Sequence, residues 1–306
     1  MSLYKMSDEE KAYLAGYDIT KFERPSVATD IAIFSIMEEG EQENYRKLPE
    51  KALKLLLIKR ATYPFKDLWA LPGGFCRSDE DVQETALREL YEETHVKAAY
   101  LQLAGTFGEV GRDPRGWIIS NTFLSLVDGT DCKPRGGTDA WEAKWFSVKL
   151  TAKAVKKELQ EDSAEMVTEY ELTLTHEESE TYLRAVIREY KWFLNYHEKV
   201  CYEIVNNEGL AFDHAKIILN TLLFLRKNVN NDWKLAFDLL PEYFTLTQLQ
   251  NAFELVFDEK LLTSNFRRKV DELVVETEQI LEGNGHRPAK LFKRKVEAFA
   301  RAMSPA

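Results

Sequence analysis

Glu89, Glu92 and Glu93 stand at i, i+3 and i+4, a spacing that projects three carboxylates together from one face of a helix. Three like charges within one turn repel, and a folded chain gains nothing structural from holding them there. A hard divalent cation that accepts oxygen ligands removes the penalty, and Mg²⁺ is the usual choice. Glu-rich helix faces are most often plain solvated surface, so the neighbours decide the reading. Arg88 precedes the first acid and Glu80 stands eight residues before it, so Arg88 can pair with Glu80 and steer Glu89. Upstream, Pro72-Gly73-Gly74 lets the backbone pass close to a phosphate and a metal.

The elements that must position these groups are legible on either side. Ser78 is placed to cap the acidic helix, with Asp81 three residues on completing a capping box. Val82, Ala86, Leu87 and Leu90 form its apolar face. ATDIAIFSIM at 28–37 reads as a first strand and LKLLLIK at 53–59 as a short central one. FKDLWALPGGF at 65–75 leads into the helix, with Trp69 and Leu71 anchoring the turn. Strands follow at 101–107, 117–127 and 142–148, the last after a glycine turn at 136–140. Arg112 and Arg115, in the turn RDPRG, read on composition as surface, although guanidinium groups can also grip phosphate oxygens bidentately.

Gly74, Glu80, Arg88, Glu89, Leu90, Glu92, Glu93 and Val96 together resemble the Nudix box, matching eight of its nine specified positions. His95 stands where that family has glycine, and it can take the left-handed conformation that ends the helix at a cost of about 1 kcal/mol. The resemblance implies an α/β/α sandwich with a mixed sheet. It implies Mg²⁺ (or Mn²⁺) held by Glu89, Glu92, Glu93 and the carbonyl of Gly73. It also implies a catalytic set of those glutamates with Arg88 and Glu80, and a substrate lying against Gly74, Arg112 and Arg115. The RDPRG segment resembles the ADP-ribose-binding branch of that superfamily.

A chain of 306 residues with 44% hydrophobic content has room for two domains with real cores. No apolar run is long enough to cross a bilayer, and the polar amino terminus is unlike a signal peptide. Cys76, Cys132 and Cys201 are odd in number and widely spaced, and read as free thiols of a cytoplasmic protein. The net charge of −10 is uneven: from Lys216 onward 14 basic residues face 12 acidic ones, whereas the rest carries 27 against 39. Such asymmetry points to different partners for the two halves.

Residues 149–166 read as a charged helix or loop; 167–175 alternate as a strand, and 181–192 are its hairpin partner or a helix. Asp213 is placed to cap a nearly all-apolar helix from His214 to Lys227, with His214 a packing or capping residue. Thr245 caps a helix carrying Leu249, Ala252, Phe253 and Val256, and a second helix from Thr263 or Ser264 presents Asn265, Arg267, Arg268 and Lys269. That is a helix-turn-helix layout, and a following hairpin with Arg287 and Lys290 at its basic tip would form a wing. LAFDH at 210–214, FTLTQLQ at 244–250, NFRRK at 265–269 and RPAKLF at 287–292 resemble the winged-helix half of Nudix-related transcriptional regulators of NAD metabolism.

The expected division is a lead-in at 1–27, a Nudix domain with added β structure at 28–209, a connecting helix at 210–238 and a mainly α winged helix-turn-helix domain at 239–306, α+β overall. The resemblance implies ADP-ribose or a related nucleotide sugar in the cleft and operator DNA bound by a homodimer. Three readings stay open: a regulator that still turns over its effector, a catalytically dead sensor, and a pyrophosphatase whose tail only dimerises or binds RNA.

Overall fold

The computed structural model describes residues 5–40, 50–95, 100–129, 140–160, 163–194, 197–281 and 288–296. In chain order the elements are α1 (Asp8–Ala15), β1 (Ser26–Glu38), β2 (Lys51–Arg60), β3 (Trp69–Ala70), β4 (Gly73–Phe75), α2 (Val82–Thr94), β5 (Tyr100–Phe107), β6 (Ile118–Leu126) and β7 (Ala140–Leu159). There follow β8 (Ser163–His176), β9 (Thr181–Leu194), β10 (His197–Glu208), α3 (His214–Asn231), α4 (Leu246–Phe257), α5 (Thr263–Val270), β11 (Val274–Leu281) and β12 (Ala289–Arg294). The main sheet runs β10-β9-β8-β7-β2-β1-β6-β5 and is mixed, since β1 pairs parallel with β6 and antiparallel with β2.

Both faces of β1 are covered, which is why it reads as an almost unbroken apolar run. Ile31 and Ile33 point to one face and pack with Ala86 and Leu90 of α2. Ala32, Phe34 and Ile36 point to the other and join a core that contains most of α3. The expected α/β/α sandwich follows from this alternation. Of the apolar face expected for α2, Ala86 and Leu90 are buried, whereas Val82 and Leu87 are exposed. The cap also differs. Asp81, not Ser78, is the N-cap, accepting from the amides of Gln83 and Glu84, and Glu84 returns the bond to complete the box. Asp81 directly precedes the first helical residue, so its carboxylate reaches the free amides that Ser78 is too far upstream to meet. His95 ends the helix with φ 59, the left-handed conformation expected of it.

Residues 149–159 and 163–166 are strand rather than helix or loop: β7 continues to Leu159 and pairs antiparallel with β8. Residues 181–194 likewise pair with β8 along their length. Charge concealed the alternation, and cross-strand pairs absorb that charge. Lys153 and Arg184 both reach Glu171 at 2.6 Å, and Arg188 reaches Glu169 at 2.9 Å. The inward residues Leu172, Leu174, Leu183, Ala185 and Ile187 close over α3.

In the carboxyl-terminal half Thr245 caps α4 through a reciprocal bond with Gln248, and Leu249, Ala252, Phe253 and Val256 are buried. Glu254 staples the turn to α5, accepting from the Leu261 amide at 3.0 Å while pairing with Lys260 at 2.7 Å. β11 and β12 form the hairpin behind α5. The expected wing tip and Arg287, Val96, Cys132 and the glycine turn at 136–139 lie outside the described residues. Cys76 and Cys201 are free thiols. Among the described residues no helix is long and apolar enough to cross a membrane.

One hydrophobic core runs from Phe34 and Phe146 through Ile217, Leu222 and Leu225 of α3 to Phe253 and Phe266 of the helix-turn-helix. Leu222→Ala should therefore cost about 2–5 kcal/mol, with one cooperative transition for the whole chain. Urea unfolding followed by circular dichroism checks this; two separated transitions would contradict the shared core.

Candidate functional site

The cleft lies where β4, α2 and the 108–116 loop meet the start of α3, and encloses about 380 Å³. Its floor is shaped by two glycines. A Cβ on Gly73 would lie 2.1 Å from the Thr29 carbonyl oxygen, against the β1 backbone it pairs with. A Cβ on Gly74 would lie 2.2 Å from Glu89 Oε1, so the absence of a side chain there admits the carboxylate.

Arg88 organises the acids. Its Nε and Nη2 donate to Glu80 at 2.5 and 2.9 Å, while Nη1 donates to Glu89 at 2.6 Å and Glu92 at 3.1 Å. Nη2 also donates to the Phe75 carbonyl, fixing the glycine loop to the helix. The hydrogen bond from Arg88 holds the Glu80 carboxyl down at about 2, with a further contribution from Thr85. Burial pushes the Glu89 carboxyl up, and Arg88 opposes it. Glu93 is buried and accepts from the Gly73 amide at 2.8 Å. The like-charge penalty is thus relieved first by an arginine and a backbone amide, a counter-charge the spacing argument assigned wholly to a cation.

These residues fit a hard cation. Glu89, Glu92, Glu93 and Gly73 line one wall and offer only oxygen donors, and the half-buried Glu89 carboxylate lacks full hydration. Among the described residues no three carboxylate, imidazole or thiol groups form a preformed metal cage. Mg²⁺ commonly binds through one or two carboxylates plus substrate phosphates, which suits such a wall.

The opposite wall is cationic and aromatic. The Arg115 guanidinium lies 5.0 Å from the Phe75 ring and 5.1 Å from the Phe212 ring, and pairs with Asp113 at 2.7 Å. Arg112 is almost wholly buried and grips Asp213 with two hydrogen bonds of 2.9 and 2.7 Å, with Asp30 at 3.9 Å. Asp213, expected as a helix cap, makes no capping bond and is committed to Arg112 instead. His214 is buried and accepts the Leu71 amide at Nδ1, 2.9 Å away, with Nε2 3.7 Å from Asp30. Sequence reasoning missed Asp30, Asp113, Phe212 and Asp213 as cleft or near-cleft residues. An aspartate inside an apolar strand was the available signal for Asp30; Asp213 needed the fold, because its partner is 101 residues away.

In the second candidate site Asn265, Arg267, Arg268 and Lys269 are exposed on α5, while Phe266 and Val270 anchor it. Lys269 lies over the Trp233 ring at 4.5 Å, and Lys290 pairs with Glu276 across the hairpin.

Family models match a segment in each half of the chain. The NUDIX domain model matches residues 46–170, and the model of the NrtR DNA-binding winged helix domain matches residues 236–293. The chain is therefore a Nudix-domain protein that continues into an NrtR-type winged helix domain. It is homologous to the ADP-ribose-responsive repressors: it is 29% identical over 303 residues to the ADPR responsive transcriptional repressor NtrR of Acinetobacter baylyi, covering 98% of this chain and 94% of that one. It is 44% identical over 99 residues to an ADP-ribose pyrophosphatase of Methanocaldococcus jannaschii, which covers 32% of this chain and only 57% of that enzyme. Its fold is similar to that of Shewanella oneidensis NrtR, in a crystal structure complexed with a 27mer DNA, at 23% identity, with a TM-score of 0.56 and coverage of 90% and 95%.

Burial holds the His214 imidazole below its ordinary pKa of 6.5, so the folded state keeps it neutral. The unfolded chain takes up this proton first as pH falls, so stability is full above about 6.5 and declines below it. His214→Asn, whose Oδ1 can accept the Leu71 amide, should flatten the dependence between pH 7 and 5. Urea midpoints across that range check it; equal slopes in the two proteins would contradict it.

Proposed function

We propose that this protein is an ADP-ribose-responsive transcriptional repressor that also hydrolyses its effector with Mg²⁺ or Mn²⁺. The observation that carries the reading is physical union: the sheet that carries the Nudix carboxylate helix on one face shares a core with the winged helix, through α3, on the other. The full-length likeness to a repressor and the Nudix-region likeness to an ADP-ribose pyrophosphatase point the same way. Operator DNA would be read as a two-fold site by a homodimer, each copy presenting α5 to a major groove.

The cation would be held by Glu89, Glu92, Glu93 and the Gly73 carbonyl, and when bound it lowers the pKa of a water and neutralises charge on the leaving phosphate. Arg88 orients Glu89 and Glu92, and Glu80 fixes Arg88. Gly74 keeps the floor open to a phosphate, and the arginines of the opposite wall match its charge. Water adds across the diphosphate linkage of ADP-ribose, giving AMP and ribose 5-phosphate. The sensor-only reading has one observation in its favour: Glu89 and Glu92 each already give one carboxylate oxygen to Arg88, which leaves fewer for a cation.

Incubation with ADP-ribose and Mg²⁺ should release AMP, and Glu89→Gln should lower the rate on the order of 100-fold while ADP-ribose still binds. No AMP from the wild type leaves the sensor alone. Arg267→Ala should weaken operator binding by about 1–3 kcal/mol if it reads a base, or flatten the salt dependence by about one unit of slope if it holds a phosphate. Anisotropy titrations at several salt concentrations distinguish these, and unchanged binding would remove α5 from the interface. Deleting residues 239–306 is a poorer test, because Phe253 and Phe266 belong to the shared core.

A further inference from the structure

The segment Leu210–Asp213 joins the sheet to α3 at His214, and several of its contacts are with the wall of the cleft or its support. The Trp69 amide donates to Gly209 and the Ala211 amide donates to Trp69, so the segment is laid against β3. Phe212 adopts φ 51, an uncommon conformation for an aromatic residue, and its ring packs against Phe65 beneath Arg60 and Arg115. That turn directs Asp213 away from the free amides of its own helix and onto Arg112. An aspartate before a helix ordinarily caps it. Here the capping bond is forgone for a bidentate ion pair with a residue of the ligand cleft.

The far end of α3 belongs to the DNA-binding half. Arg226 donates to the Val256 carbonyl at the end of α4, at 2.9 Å, and Leu225 and Val229 are buried in the shared core. The helix has 18 residues, about 27 Å of rigid rod at its ordinary rise. α3 thus connects Asp213 physically to the helix-turn-helix.

We propose that Arg112 and Asp213 form a latch: a diphosphate ligand draws the Arg112 guanidinium off Asp213, and the released first turn of α3 shifts and carries the winged helix out of its DNA-binding arrangement. A phosphate and a carboxylate are alternative bidentate partners for one guanidinium, so the two compete. The competition gives the ligand different affinities for latched and unlatched states, which any ligand-driven shift requires. This inference rests on the repressor reading and names the residue pair through which the ligand acts. Linkage makes the effect reciprocal: the factor by which bound nucleotide weakens DNA is the factor by which bound DNA weakens the nucleotide.

Asp213→Asn keeps the shape and removes the charge. The probes are α,β-methylene ADP-ribose, which cannot be cleaved, and an operator duplex selected by the full-length protein from a random library. The latch predicts that D213N binds the nucleotide about 5- to 10-fold more tightly and free operator about 5- to 10-fold more weakly, with little further loss on adding nucleotide. A merely structural role weakens both together, and that result overturns the latch, as does a nucleotide response equal to that of the wild type. If the wild type binds the nucleotide and its operator affinity does not change, the repressor reading itself fails. Hydrogen exchange on the wild type gives an answer independent of any variant. The Lys216 and Ile217 amides, bonded to the Asp213 carbonyl, should exchange faster with nucleotide bound. Unchanged or slower exchange there overturns the proposal.

Discussion

Packing acids into one helical turn requires a counter-charge, and in this protein Arg88 supplies the first of it. One guanidinium touches Glu80, Glu89 and Glu92 and also ties down the Phe75 carbonyl of the glycine loop. The consequence is that α2, β4 and the glycine floor are held in register before any ligand arrives. Glycine at 74 is then dictated by the carboxylate it faces, and glycine at 73 by the strand it lies against. Half-burial of Glu89 leaves a carboxylate whose ionised form gains from further positive charge. Such a wall holds together alone and still gains from a divalent cation.

The second constraint is that the two functional halves share a hydrophobic core. A winged helix on a flexible linker would be indifferent to what fills a distant cleft. Here α3 is buried along most of its length, begins with side chains bonded into the cleft wall and ends against α4. Packed interiors move between discrete arrangements rather than deforming smoothly, so a small displacement at one end of such a helix has to be answered at the other.

Much of this was legible in the sequence. The i, i+3, i+4 acids, their arginine and the preceding glycines locate one wall of the cleft, and the Thr245 cap with the apolar face after it locates the first helix of the helix-turn-helix. Where reasoning from the chain stopped short, the reason is consistent. Charge-rich strands at 149–159 looked unlike strands because their lysines are solvated and their pairing partners lie on neighbouring strands. Asp213 looked like a cap because local spacing cannot reveal an arginine a hundred residues earlier. The sequence marks Arg115 as suited to phosphate, but its position between Phe75 and Phe212 depends on two segments that only the fold brings together. Short-range periodicity speaks for single elements; a cleft wall assembled from four of them is a tertiary fact.

The central claim is that the wall built on Arg88 receives a divalent ion. Electron paramagnetic resonance of Mn²⁺ titrated with the full chain measures this directly, with and without α,β-methylene ADP-ribose. The account predicts bound Mn²⁺ at one class of site, tightened by the nucleotide and lost in Glu89→Gln. Free Mn²⁺ throughout, or binding that Glu89→Gln leaves untouched, would contradict it.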